Sequence, residues 1–324
     1  MPSLKSEDYI HGGVQKDHYN ASEIERCNCP YCDTNEFEVL SAERGLGIVK
    51  CNSCGLIYTN PRSSDSERNY FENTETFFEE ARLIFSGKKS HHRDKNYEFE
   101  LRKIKKVKPH GKLLDVGTYM GFFLRKAREF GYETEGVEPS PSVSLIAQKE
   151  FRLNVHNAFL ENANLPRGSY DIITLIDVFE HVKNPKVMLL KCHELLKDDG
   201  IMAIKIPNGE YNHLKQKLGS LFGQEVRTDI WNAREHVVHY NQKTFIKMVA
   251  SAGFKIDSFF VPIPIHSPVW HYFVGHYYQY PSPFILDWKR VLLRNFFYWT
   301  GRLEKLLGLP VRFGPDLMFI IKKV

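Results

Sequence analysis

The chain contains no stretch of about 18 uninterrupted apolar residues, which excludes a membrane-spanning helix. Its opening segment, MPSLKSEDYIHGG, has no apolar core of the kind a secretion signal carries, so no leader is expected. The G-K-[ST] of a P-loop is missing, and so is the complete G-x-G-x-x-G of a dinucleotide site. There is no Lys/Arg-rich run, no internal repeat and no low-complexity tract, and a net charge of +5 is too weak to argue for nucleic acid. Cysteine is scarce beyond residue 54: five of the six lie at positions 27, 29, 32, 51 and 54, and the sixth is Cys192. The expected compartment is a reducing cytoplasm, where paired cysteines serve metals rather than disulfides.

What is present divides the 324 residues into four parts. Residues 1–26 are polar, residues 27–62 carry the cysteines, and residues 63–110 read as a charged helical linker. Within that linker YEFELRKIKKVK reads as a helix delivering the chain to a first core strand. Residues 111–324 form the main domain, with an aromatic-rich substrate or lid region at 258–310 and a last strand at 316–323. The runs KLLDVG, ETEGVEP, YDIITLIDV and GIMAIKIP alternate with helical patterns, which predicts βαβ units and a parallel sheet. The expected fold class is therefore α/β: a Rossmann-like, mainly parallel sheet with helices on both faces, preceded by a small zinc-ribbon module.

Cys29-x2-Cys32 and Cys51-x2-Cys54 are separated by 18 residues that alternate like a β-hairpin. Two such knuckles suit tetrahedral Zn²⁺, with Cys29, Cys32, Cys51 and Cys54 as ligands. Cys27 is read as a spare thiol and Cys192 as a residue on an ordinary helix face. The metal could serve recognition of a substrate, RNA included. It could equally staple a segment too short to bury a core of its own, and the scarcity of Lys and Arg in the ribbon favours the staple.

LLDVGTYMGFFL reads as a buried strand, a tight turn and a helix start. Asp115 ends the strand, Gly117 and Gly121 shape the turn, and Tyr119 occupies the middle where another glycine is common. Glu138 follows Gly117 by 21 residues at the end of the next strand, where a carboxylate can accept both hydroxyls of a ribose. Asp171 and Asp177 bracket a third strand, so Asp115, Gly117, Gly121, Glu138 and Asp177 should converge outside the strands' carboxyl ends. A turn with few free amides and an acidic flank fits a ligand without phosphates better than NAD.

Five blocks, LLDVGTYMGFFL, GVEPS, YDIITLIDVFEHVKNP, ELLKDDGIMAIKIPN and EHVVHYNQKTFIKMVASAGF, resemble in order and spacing the class I S-adenosylmethionine-dependent methyltransferases. The segment CPYC…CNSCGLIYTNPR is similar to the zinc-binding front of a bacterial subgroup whose members often modify sugars or other small metabolites. The resemblance implies a site for S-adenosyl-L-methionine built from Asp115, Gly117, Thr118, Tyr119, Gly121 and Phe122 on the turn, Glu138 and Pro139 after the second strand, and Asp177 and Val178 beside the sulfonium. Ala158 and Phe159 would border the adenine. Tyr119 departs from the common G-x-G-x-G pattern and should point away or lie over the cofactor.

Methyl transfer from a sulfonium is an in-line displacement, so the protein must align an acceptor, exclude water and, for a hydroxyl, supply a base. His181 in FEHV leads the candidates, followed by His239 and Tyr240 in REHVVHYN. Glu180 could orient its neighbours, His236 and His239 could form a metal pair, and Asn241 reads as the N-cap of the following helix. The expected acceptor is a small molecule containing a sugar. The alternatives are an RNA methyltransferase gripping RNA through the ribbon, and a non-catalytic scaffold. No [N/D]-P-P-[Y/F] signature of base-amine methylation follows the third strand, so no nucleic-acid partner is expected. The basic amphipathic run LDWKRVLLRNFFYWTGRLEKLL could be a core or dimer-contact helix, a substrate lid, or a peripheral membrane contact.

Overall fold

The computed structural model describes residues 19–64, 81–91, 93–221, 230–263 and 284–324. Strands β1 (Ile24–Glu25), β2 (Phe37–Glu43), β3 (Leu46–Cys51), β4 (Ile57–Thr59) and β5 (Arg62–Ser63) come first. Helix α1 (Asp94–Val107) leads into β6 (Lys112–Val116), α2 (Phe122–Glu129), β7 (Glu133–Val137), α3 (Pro141–Lys149) and β8 (Val155–His156). The chain continues through β9 (Tyr170–Ile176), α4 (Pro185–Leu195), β10 (Leu196–Pro207), α5 (Gly209–Leu221), β11 (Val238–His239) and α6 (Gln242–Ala250). It ends with β12 (Phe254–Phe260), α7 (Phe284–Leu306) and β13 (Asp316–Lys323).

Seven strands form the central sheet in the order β12-β13-β10-β9-β6-β7-β8. Its members run parallel except β13, which is antiparallel to both β10 and β12. Both faces are covered, and this explains the near-continuous apolar runs of β6, β9, β10 and β13. Leu114, Val116 and Ile173 point into one core, while their neighbours Leu113 and Ile172 point into the other. Helix α1 delivers Tyr97, Leu101 and Ile104, spaced four and three apart, to the second core against Phe123 and Leu124. Asn241 caps α6 reciprocally with Thr244, each backbone N–H reaching the other's side-chain oxygen at 2.9 and 3.0 Å. Chain order reverses between β6 and β9, so a crevice opens where their carboxyl ends diverge.

The cysteine segment is joined to the main domain rather than tethered in front of it. A four-stranded sheet in the order β11-β4-β3-β2 borrows its edge strand from 180 residues downstream, pairing Val238 with Tyr58 and His239 with Ile57. Cys29, Cys51 and Tyr58 share a core with Val116 and Ile173. Glu43 accepts the backbone N–H groups of Trp231 (2.8 Å) and Ala233 (3.0 Å), and Trp231 is fully buried. The expected aromatic lid falls largely on residues 264–283, outside the described residues.

Candidate functional site

The turn after β6 has a left-handed backbone at Gly117 (φ 71°), Tyr119 (φ 51°) and Gly121 (φ 86°). Tyr119 therefore adopts the conformation a glycine would take at that position, at a cost of about 1–2 kcal/mol. Asp115 braces the turn from beneath, accepting the hydroxyls of Thr174 at 2.6 Å and Thr118 at 2.8 Å. Burial pushes its carboxyl up to about 7, against the lowering effect of those two hydroxyls. Glu138 accepts the N–H of Tyr119 at 2.8 Å on one oxygen and that of Ser140 at 2.9 Å on the other. Each oxygen keeps a further lone pair, so the carboxylate that fixes the turn can still accept a vicinal diol. A Cβ added at Gly117 would lie 2.7 Å from Val178 Cγ2. Gly117→Ala should thus lose about 1–3 kcal/mol of stability, read as a lower denaturation midpoint.

Asp115, Gly117, Thr118, Tyr119, Phe122, Glu138, Pro139, Asp177, Val178 and His181 all line one cavity of about 550 Å³, together with Ala158 and Phe159. That volume suits a nucleoside-sized ligand. Gly121 does not line it: Gly121 starts α2 and packs toward Leu153.

Asp177 also has a left-handed backbone (φ 56°), and its carboxylate is clamped by two cations. Lys205 Nζ lies 2.7 and 2.9 Å from its two oxygens, and the Arg93 guanidinium bonds it from the other side. Burial opposes ionisation of Asp177, but these cations outweigh it and hold the carboxyl well below the usual range. Lys205 is fully buried, and Arg93 rests 5.1 Å from the Tyr97 ring centroid. Glu100, also fully buried, has no hydrogen-bond partner for its carboxyl among the described residues, and burial raises it to about 7. The sequence reading missed Arg93, Lys205 and Glu100. A lone lysine inside GIMAIKIP was a usable signal, since a buried cation needs a counter-ion; Arg93 gave none.

His181 ends a short 3-10 turn, Phe179–His181, and donates from Nδ1 to the Glu235 carbonyl at 2.9 Å, leaving Nε2 as the basic atom. Burial lowers its pKa below the ordinary histidine value. His239 and Tyr240, the other two candidate bases, do not line the cavity. His239 lies buried in the seam, 3.2 Å from Thr59 Oγ1, and burial lowers it to about 3. Tyr240 is fully buried and stacks on Phe179. The pair His236–His239 is likewise replaced: His236 groups with Glu180 and His181, one ligating atom of each within 4.8 Å of the others. Burial first, and the charge of Asp177 second, drive Glu180 toward its neutral acid, which is a poor metal ligand.

The four sulfurs of Cys29, Cys32, Cys51 and Cys54 also lie within 4.8 Å of one another, with Cys29–Cys54 at 3.5 Å and Cys32–Cys51 at 3.4 Å. A tetrahedral ion with zinc–sulfur bonds of about 2.3 Å needs edges of about 3.8 Å, so the four thiols fit it. The Cys54 N–H points at Cys51 Sγ, 3.4 Å away. Cys27 Sγ faces the Thr59 carbonyl at 3.8 Å instead, and Cys192 is buried on α4.

A family profile described as a methyltransferase domain matches residues 90–258. Ubiquinone biosynthesis O-methyltransferase of Glaesserella parasuis is 27% identical over 107 residues, 30% of this chain and 45% of the relative. The protein of the same name from Rhodopseudomonas palustris is 28% identical over 102 residues, 30% of this chain and 40% of the relative. The chain thus spans less than half the length of these curated relatives. Among solved structures, an S-adenosylmethionine-dependent methyltransferase from Archaeoglobus fulgidus aligns with a TM-score of 0.46 at 18% identity, over 78% of this chain and all of that one.

Proposed function

The chain belongs to the methyltransferase-domain family, and from that premise we propose that it transfers a methyl group from S-adenosylmethionine to a small-molecule acceptor. The observation that carries the proposal is the convergence of Glu138, the glycine turn and His181 on one cavity. Bound there, S-adenosylmethionine would supply an electrophilic methyl group. The residues fit it: Glu138 would take the ribose hydroxyls, the Cβ-free backbone at Gly117 would admit the methionyl part, and Ala158 and Phe159 would border the adenine. Arg93 would offer a cation to the carboxylate end, and Asp177 would position Arg93 rather than touch the methyl donor. His181 would take the acceptor's proton at Nε2.

Oxygen is the accepting atom we favour, because the curated relatives are O-methyltransferases by name. A sugar hydroxyl is the finer form of this proposal. The mixed lining of the cavity, with Asn184, Glu235 and His181 beside Val178 and Met188, offers a hydroxylated molecule both hydrogen bonds and apolar contact. We further propose that the four thiols hold zinc as a staple.

Calorimetric titration with S-adenosylhomocysteine tests the cofactor site. The wild type should bind, and Glu138→Ala should weaken binding by about tenfold or more, the worth of one lost charge-assisted hydrogen bond. Absence of binding by folded wild type would sink the enzyme reading and leave the scaffold. With binding established, nucleotide-sugars are the first acceptors to screen.

A further inference from the structure

We propose that α7 is a membrane-surface helix that lays this chain on an anionic bilayer. Leu292, Phe296, Trp299, Leu303 and Leu306 recur at intervals of four, three, four and three, and each is more than half exposed. They form one stripe about 21 Å long. Leu307 and Leu309, equally exposed, extend it past the helix end. The stripe is not a misplaced core face, because α7 already has one. Phe297 and Tyr298 are buried, Phe297 meets Tyr211 edge-on at 5.2 Å, and Gly301 abuts the backbone of Gly314. Among the described residues this is the helix with a second, outward apolar face of such length.

Charge selects the occupant. Between residues 284 and 309 the sequence carries five Lys and Arg residues against Asp287 and Glu304, although Lys305 lies over the protein's own Phe259 and Phe260 rings, at 5.6 and 4.8 Å. Glu304 is spent inside the protein, accepting the N–H groups of Arg312 at 2.8 Å and Phe313 at 3.0 Å. Arg302 lies 5.5 Å from the Trp299 ring, at the edge of the stripe. A second copy would set this net positive segment against its own like charge, whereas anionic headgroups complement it. No described helix is long and apolar enough to cross a membrane, so the contact is with the surface.

The placement has a consequence for the site. Helix α7 runs into β13, whose first residue Asp316 pairs with Pro207 at the carboxyl end of β10. Asn208 fixes that junction by donating to the carbonyls of Val311 (3.2 Å) and Gly314 (2.8 Å). Docking through α7 would therefore bring the edge of the sheet that carries the cavity to the bilayer, within reach of an acceptor held there.

Co-sedimentation of the full zinc-loaded chain with vesicles tests this, and it needs no cofactor, so its failure is separate from failure of the methyl-transfer reading. Binding to mixed phosphatidylcholine–phosphatidylglycerol vesicles should exceed binding to pure phosphatidylcholine by about tenfold or more, and should weaken with salt. The triple variant Phe296→Ser, Trp299→Ser, Leu303→Ser should lose that binding while keeping the wild-type melting temperature, since none of the three is buried. The proposal is overturned if the wild type stays in the supernatant, if the variant binds equally well, or if light scattering finds a lipid-free dimer that the variant dissociates.

Discussion

Chelating the zinc proposed at the four thiols should abolish the proposed methyl transfer and unfold the front of the molecule, although the cluster lies outside the cavity. The reason is the shared sheet. β4 is the neighbour of β11, Thr59 donates its N–H to the Val237 carbonyl at 3.0 Å, and its hydroxyl donates to the His236 carbonyl at 2.8 Å. Val237 in turn donates to the Glu180 carbonyl at 2.9 Å, and Glu235 holds His181. A segment anchored by the ribbon thus sets the imidazole that faces the cavity. Structural zinc contributes about 10–16 kcal/mol in small zinc folds, which exceeds the net stability of most domains. Chelation followed by metal analysis, thermal melting and activity should show zinc loss, unfolding and inactivation moving together. Cys51→Ser should reproduce the effect, whereas Cys27→Ser should melt like the wild type because its sulfur points away from the cluster. A zinc-free chain that melts and turns over normally would contradict the staple.

In the central sheet β6, β9, β10 and β13 were legible as apolar runs, which burial on both faces makes long, and β7 by its place between the glycine turn and Glu138. β8, two residues long, and β12, FKIDSFF, carry no such run and were not legible as strands. The glycine turn was legible too, but its chemistry was not. Nothing local announces that Tyr119 accepts a left-handed backbone, or that its N–H is taken by Glu138. The seam was illegible for a different reason: β11 is two residues long and pairs with a strand 180 residues earlier, so no periodicity marks it. That hidden pairing decided among the histidines. It buries His239 against Thr59 and leaves His181 facing the cavity. Arg93 shows the same limit, one cation among many in a charged linker until the fold sets it beside Asp177.

His181→Ala should lower the turnover rate by about 10²- to 10⁴-fold while leaving S-adenosylhomocysteine binding nearly unchanged. Comparison with the other buried groups leads to this residue: Asp115 lines the cavity, but its two oxygens are taken by the hydroxyls of Thr118 and Thr174. Asp177 lies in the cavity but is too weak a base, clamped between Lys205 and Arg93. Glu180 is driven toward its neutral acid, and Tyr240 is raised far above neutrality by burial. His239 is deprotonated at neutral pH but sits outside the cavity. His181 combines access, a fixed tautomer and a pKa lowered by burial, so at pH 7 it is the free base. The sign follows for the pH profile: protonation removes the base, so the wild-type rate should hold across neutral pH and fall only in acid, below the ordinary histidine range near 6.5. That limb should vanish in His181→Ala, and added imidazole should restore part of the rate. A variant within about threefold of wild type would mean that the acceptor needs no base, as a neutral amine needs none, and would move the proposed methyl acceptor from oxygen to nitrogen.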